Sequence, residues 1–372
     1  MNTSNHRLKE VALLFTKLGI IGFGGPAVHI ALMEEEVVRK RKWITAQHFL
    51  DLVGATNLIP GPNSTEMTMH CGHERAGWKG LVVAGCCFIV PAVVLTALLA
   101  WAYSTYGHLP GVAPFIYGIQ PAVIAVVVGA MVSLGRKALK SVQLAIIGVL
   151  CAVAALAGVN EILVLFGAGA VGILLYLVQA PSKTLSGIAP FFLLQITGSP
   201  SAWKLFLIFL KVGAILYGSG YTLFAFLDAE LVTRGLITKT QLVDAIAVGQ
   251  FTPGPVFSAA TFIGWQVGGL WGALAATIGI FLPSFLFVGL LNPLIPRLRR
   301  SPIMAVFLDT VNIASVALIC SITVEMGLEV FTGWRTILIA ALGFMVVFGF
   351  PRLNTAFVVL GGSLLGALLA LI

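Results

Sequence analysis

The tripeptide Pro-Gly-Pro occurs twice in this chain, at 60–62 and at 253–255, each time inside a segment that is otherwise apolar. Two prolines flanking a glycine cannot continue a helix, and they leave main-chain groups without intrahelical partners. Hydrocarbon offers these groups no hydrogen bonds, so such a break survives at membrane depth only where it lines a cavity inside protein. The two breaks therefore predict an internal, polar turn in each half of the chain.

The composition places these turns in a membrane. Of the 372 residues, 59% are hydrophobic and only 10% are charged, whereas a soluble domain carries about 25% charged residues. We therefore predict an all-α, polytopic membrane protein whose surroundings are membrane lipid. The net charge is +8, and the basic residues that produce it lie in short loops between apolar stretches. They therefore indicate membrane topology and not nucleic-acid binding. The five cysteines lack metal-ligand spacing, and the sequence predicts no metal and no cofactor.

The two halves of the chain align with each other at a nearly constant offset. Lys17 aligns with Lys211 and Glu36 with Glu230, 194 residues apart in both cases. We therefore predict two repeats, residues 1–190 and 191–372. Each repeat has five apolar stretches, near the roughly 20 residues that a spanning helix needs. These stretches are 11–33, 80–105, 112–134, 141–158 and 162–179, then 205–230, 270–292, 303–324, 336–350 and 354–372, with the interrupted segments at 46–73 and 239–266.

The loop charges predict that the repeats are inverted. Basic residues follow the first and third stretches of the first half, at 39–42 and 136–140, and in the second half they occupy 297–300. Basic loops stay cytoplasmic. Five spanning helices plus one re-entrant helical hairpin per repeat give the odd number of crossings that inversion needs. Arg7 and Lys9 do not fit this arrangement, because the predicted number of crossings places these two basic residues outside. Whether the first stretch of each half is continuous or broken stays open.

The residues around both breaks are candidates for binding an anion. Asn63 and Ser64 are typical of a helix start, and a half-helix that begins there points unpaired N–H groups and its positive dipole end at the break. Such an end is a ready anion site. The alternative is that these positions are kinks and close-packing glycines. The predicted set is Gly24, Gly25, Pro26, Asn57, Pro60, Gly61, Pro62, Asn63, Ser64, Gln250, Thr252, Pro253, Gly254 and Pro255.

Charged residues inside apolar segments are functional hypotheses, because a charge at that depth is costly. Lys17 and Lys211, at equivalent positions, could face one central dianion; alternatively, each pairs with a carboxylate or reaches the interface. Asp51, Glu66 and Asp244 lie within the hairpins and are candidate proton carriers, since a dry site favours the neutral carboxyl group. For these three the alternative is an ion pair.

Several classes of function are not encoded. The sequence contains no Gly-x-x-x-x-Gly-Lys-Ser/Thr loop, no nucleophile elbow and no His-Glu-x-x-His motif. It therefore predicts neither ATP-driven transport nor an enzyme.

The motifs resemble those of the chromate ion transporter family in its long, two-domain form. The resemblance rests on Phe23–His29, Leu58–Glu66 and Asp244–Ser258, and it covers both halves. It implies a secondary transporter of the inner membrane that exports chromate, with protons as the coupling ion. Sulfate has the same charge and nearly the same shape, so a sulfate or other oxyanion transporter and an anion channel remain alternatives. A homodimer is a further arrangement that the sequence leaves open.

Overall fold

The computed structural model describes residues 3–23, 25–107, 109, 111–179, 202–217, 220–291, 301–350 and 353–371, and this part is helical without strands. The predicted repeat boundary at 190/191, Gly24 and the basic loop 297–300 lie outside these ranges. The helices are α1 (Thr3–Ile21), α2 (Pro26–Met33), α3 (Ala46–Thr56), α4 (Asn63–Tyr106), α5 (Ala113–Ala138), α6 (Val142–Leu156), α7 (Glu161–Gln179), α8 (Ala202–Ile215), α9 (Thr222–Leu227), α10 (Lys239–Phe251), α11 (Ala259–Leu291), α12 (Pro302–Val330), α13 (Trp334–Gly349) and α14 (Thr355–Leu369).

Eight of the described helices are apolar enough for a membrane. Five of them, α4, α5, α7, α11 and α12, are also long enough to cross it, and α6, α13 and α14 are shorter apolar helices. Their lipid-facing residues are large and hydrophobic, as a bilayer requires. The prediction of an all-α, polytopic membrane protein is confirmed.

The helices α4 and α11 each reverse direction near their start. The backbone leaves helical geometry at Ala76 and Gly77 in α4, and at 268–269 in α11. Gly72 and Gly80 lie so close that a side chain on either would strike the other's carbonyl oxygen, although a straight helix would hold them about 12 Å apart. Residues 63–75 are therefore the return arm of a hairpin with α3, separate from the long arm 78–106.

The first apolar stretch of each half is broken and turns back on itself. Between α1 and α2, residues 22, 23 and 25 are non-helical, yet Lys17 Nζ lies 2.9 Å from Glu36 Oε1. In a straight helix these residues would be about 28 Å apart. Lys211 and Glu230 are paired in the same way across the break after α8, at 2.6 Å.

This turn resolves the disagreement over the N-terminus. Arg75, at the end of the first hairpin, donates to Glu10 Oε2 at 3.0 Å and lies 5.2 Å from the Trp43 ring. The start of α1, the loop after α2 and the turn at 76–77 therefore share one end of the bundle. Arg7 and Lys9 lie beside Glu10 in α1, at the same end as the basic loop 39–42.

The two halves are interwoven. The third span of the first half, α5, packs mainly against α13 and α14, while its counterpart α12 packs mainly against α6 and α7. Lys140, just beyond the end of α5, pairs with Asp309 near the start of α12 at 2.6 Å. The equivalent helices α5 and α12 thus run antiparallel, which favours the inversion that the loop charges predict.

The turn at Gly77 provides a test of the hairpin. Gly77 has φ 62° and ψ −152°, a region essentially reserved for glycine, and a residue forced to stay there costs about 1–3 kcal/mol. Gly77→Ala should lower the thermal unfolding temperature in detergent. Gly361→Ala, a helical position with open space around it, is the matched control and should not. Equal unfolding temperatures would show that the turn relaxes without glycine.

Candidate anion site at the crossed helix breaks

Both Pro-Gly-Pro turns interrupt their helices. The helix α3 ends at Thr56 and α4 begins at Asn63. The side chains on either side of the turn are joined, because Asn63 Nδ2 donates to Asn57 Oδ1 at 2.8 Å. In the second half, α10 ends at Phe251 and a short 3₁₀ turn, Val256–Ser258, leads into α11. All three residues of each tripeptide are buried.

Each turn is anchored on the broken first span of the other half. Gly61 N–H donates to the Leu216 carbonyl at 2.9 Å, and Gly254 N–H donates to the Gly22 carbonyl at 2.8 Å. Leu216 and Gly22 are equivalent positions of the two halves, so the bonds form a reciprocal, crossed pair. The N–H groups of these two glycines are therefore already used within the protein and are not available to a solute in this conformation.

The turns lie well inside the bundle. A side chain at Gly254 would meet the Ala92 methyl group at 2.9 Å, and one at Gly61 would meet the Ser284 hydroxyl. Ala92 and Ser284 lie in the long arms 78–106 and 270–291, away from the ends of both. The breaks are therefore at membrane depth and in contact with protein, where irregular backbone is tolerated.

Unused hydrogen-bond donors lie just after the first turn. The N–H groups of Thr65 and Glu66 return to the Pro62 carbonyl, at 2.8 and 3.1 Å, whereas those of Asn63 and Ser64 have no acceptor within the described residues. The buried Thr65 hydroxyl also has no partner there. These groups surround the positive end of α4, which favours a negative ligand.

The second turn is surrounded by a similar set of polar groups, and these are buried. Ser258, the counterpart of Thr65, is likewise a buried hydroxyl without a partner in the described residues. Tyr221 donates to Gln250 Oε1 at 3.1 Å, which leaves the buried Gln250 Nε2 unpaired there. The hydroxyl of Thr252 is bonded to the Val248 carbonyl of its own helix, at 2.6 Å. Thr65 and Ser258 are absent from the set predicted from the sequence, although the repeat alignment pairs them directly.

Glu66 lies at the first turn and is completely buried. Its Oε1 atom and the Ser284 hydroxyl are both against Gly61. Neither carboxyl oxygen meets hydrogen-bond geometry with any described residue. At the second turn, the counterparts of Glu66 and Ser284 are Ala259 and Ala92, so among the described residues only the first turn has a titratable group of this kind.

The other two candidate proton carriers have different surroundings. Asp244 is buried but accepts hydrogen bonds from Tyr103 Oη at 2.7 Å and Gln120 Nε2 at 3.1 Å, both from the first half. Asp51 is partly exposed on α3, where Gln47 Nε2 lies 3.4 Å away. Asp244 is thus held by fixed donors between the halves, and Asp51 faces the outside of the hairpin.

The two lysines are paired with carboxylates, as the alternative interpretation states. Lys17 donates to Glu36 and keeps the pKa of that carboxyl group below its usual range. Lys211, only 14% exposed, pairs with Glu230, which Arg234 also contacts at 2.8 Å. Each pair joins the two arms of a broken first span, and a direct role of the lysines in anion binding stays a prediction.

The first-span break completes the arrangement. Gly25 adopts φ 82° and precedes Pro26, the first residue of α2. The buried His29 donates from Nε2 to the Gly22 carbonyl at 2.9 Å, the same oxygen that Gly254 contacts. His29 therefore has a structural contact at this break.

Comparison with known proteins identifies the family. The family model described as "Chromate transporter" matches residues 9–173 and again residues 203–367, most of the chain. The chain belongs to the chromate transporter family. It is 30% identical to a chromate transport protein of Cupriavidus metallidurans, over 97% of this chain and 93% of the relative. A chromate transport protein of Pseudomonas aeruginosa is 31% identical, with 95% and 90% covered.

A more distant relative shows the same full-length match. An uncharacterized transporter of Methanocaldococcus jannaschii is 25% identical over 99% of this chain and 98% of its own length. No solved structure matches the chain. The relatives are named as transporters, which agrees with the prediction that this family member is not an enzyme.

The lysine pairs of this chromate transporter family member can be tested directly. Lys211→Gln leaves a buried carboxylate with one fewer partner, and we expect a loss of about 1–3 kcal/mol in unfolding free energy. Lys17 is half exposed, so Lys17→Gln should cost less. Lys211→Gln combined with Glu230→Gln should recover stability, as judged by thermal unfolding in detergent. Unchanged stability with lost oxyanion binding would instead place Lys211 at the ligand.

Proposed function

We propose that this protein is a secondary transporter that exports chromate across the inner (cytoplasmic) membrane, linked to the proton motive force. The family and the printed names of the two bacterial relatives support the substrate. The multi-pass helical fold supports a membrane location. The observation that carries the proposal is the crossed pair of hydrogen bonds, which brings four helix breaks together in two pairs inside the bundle.

The first turn is the better substrate site. An oxyanion without its water needs hydrogen-bond donors, and the N–H groups of Asn63 and Ser64 with the Thr65 hydroxyl supply them. The helix end adds a favourable dipole without adding a fixed charge. A site of this kind holds a dianion weakly enough to release it, as transport requires.

The two turns differ in how accessible they are. Asn57, beside the first turn, is exposed, whereas its counterpart Gln250, beside the second turn, is buried. The substrate would therefore enter at the first turn in this conformation. Movement of one half against the other about the crossed bonds would expose the site on the opposite side, which is the usual form of alternating access between repeats.

Sulfate is the second candidate substrate. Main-chain N–H and hydroxyl donors recognise the charge and tetrahedral shape that sulfate and chromate share. No described side chain at the first turn distinguishes the two by chemistry, so this arrangement also fits a sulfate transporter.

Flux in proteoliposomes tests the proposal. Chromate uptake into inside-out vesicles should saturate with chromate concentration and respond to an imposed pH gradient or membrane potential. Added sulfate should inhibit this uptake measurably by competition. Unsaturable flux that ignores both gradients would indicate a channel. Sulfate flux without chromate flux would exclude chromate export.

The Gly61→Ala variant tests the site. The added methyl group would collide with the Glu66 carboxyl and the Ser284 hydroxyl, and Gly61 has φ 136°, which strains any other residue. We expect transport to fall at least tenfold while the protein still inserts. Gly361→Ala should transport normally, and normal transport by Gly61→Ala would remove this turn from the substrate path.

A further inference from the structure

Glu66 is the most isolated carboxylate in the described part of the chain. It is 0% exposed, and in that part the group beside it is the Ser284 hydroxyl, with no cation to balance a negative charge. The other buried carboxylates in that part have partners: Glu36 and Glu230 pair with lysines, and Asp244 accepts two hydrogen bonds. An ionised carboxylate without a cation beside it is strongly disfavoured in such a place. Glu66 is therefore the neutral acid while it is shut off from water, and it ionises only where water reaches the empty site.

The carboxyl group of Glu66 lies where an anionic ligand would bind, at the start of α4. Its side chain bends back over Gly61 at the start of its own helix, beside the unused N–H groups of Asn63 and Ser64. A negative charge is most stable at this end of a helix. An ionised Glu66 and a bound dianion would therefore compete for the same positive end and would repel each other.

Among the described neighbours of Glu66, none is a cation that compensates a negative charge on it. The Ser284 hydroxyl lies closest, and Tyr217 is the titratable side chain that interacts with Glu66 electrostatically. Other titratable side chains on this helix and on the elements packed against it include Lys17 on α1, His29 on α2, Asp51 on α3, Asp244 on α10, and His70 on α4 itself.

We propose that Glu66 is the proton carrier, and that a tetrahedral dianion binds at the first turn only when Glu66 is protonated. This rests on the proposed function. Binding then takes one proton from water onto a Glu66 oxygen, and the resulting hydroxyl can donate to the oxyanion. The proton travels with the dianion, so the loaded site differs from the empty, ionised site by one negative charge. A membrane potential that is negative inside favours export of that net negative charge, whereas a pH gradient that is acidic outside opposes export of the proton.

The second turn has no such switch. Its counterparts of Glu66 and Ser284 are Ala259 and Ala92, and its glycine meets only the Ala92 methyl group and main-chain atoms. One proton per transport cycle, bound in the first half, is therefore the expected stoichiometry.

Proton uptake on anion binding tests the proposal. Purified protein in weakly buffered detergent solution, at pH values high enough to ionise Glu66 in the empty protein, is mixed with chromate or sulfate while a pH indicator is monitored. Wild type should take up about one proton per anion bound, and affinity should fall about tenfold per pH unit in that range. Glu66→Gln, which mimics the neutral acid, should bind at least as tightly, without proton uptake and without pH dependence.

Two further variants control the experiment. Glu74→Gln makes the same chemical change at an exposed position on α4 and should keep wild-type proton uptake. Glu66→Asp keeps a titratable group and should keep proton uptake with altered affinity. Anion binding by wild type without proton uptake would overturn the proposal whether or not any variant folds. The proposal would also be overturned if Glu66→Gln took up as many protons as the wild type, or if a folded Glu66→Gln protein no longer bound the anion. If wild type binds neither oxyanion, the proposed function itself fails.

Discussion

The crossed hydrogen bonds between the halves are the interactions on which the rest of the structure depends. A Pro-Gly-Pro turn has one N–H group, that of its glycine, because proline has none. Gly254 donates this N–H to the Gly22 carbonyl. In a continuous helix that carbonyl would accept from residue 26, which is Pro26 and cannot donate. The proline in one half thus frees the acceptor that the turn of the other half needs, and both groups are satisfied where lipid could not satisfy them.

The ion pairs show how a charged residue in an apolar stretch can be structural. Lys17 with Glu36, and Lys211 with Glu230, join the two arms of each broken first span. The pairs hold the arms close, and the arms carry the carbonyls that the Pro-Gly-Pro turns bond. Burial of these charges is tolerated because each has a partner at hydrogen-bonding distance. The charges thereby position the breaks and do not need to touch the substrate.

The two halves share a scaffold but not a site. Both have the turn, the crossed bond and the buried hydroxyl at the third position after it, Thr65 or Ser258. Glu66 is found in the first half only, with Ser284 of the second half beside it. A transporter with one titratable turn can therefore couple a proton at one place while the other turn acts as a mechanical support. In the proposed mechanism the substrate site is composite, because Gly61 bonds the Leu216 carbonyl and Glu66 lies beside Ser284, both of the opposite half.

The sequence by itself determined the local features. The prolines and glycines predict the breaks because they act on the backbone where they stand, and composition predicts the membrane fold because burial in lipid requires apolar side chains. The repeat offset is likewise visible, since equivalent residues keep their spacing. Only the tertiary structure decided which groups meet. Gly61 and Leu216 are far apart in the chain, and no local pattern reveals their bond. The same reason explains why Glu66, Asp51 and Asp244 look alike in the sequence: the absence of a partner is a property of the packed neighbours and not of the residue.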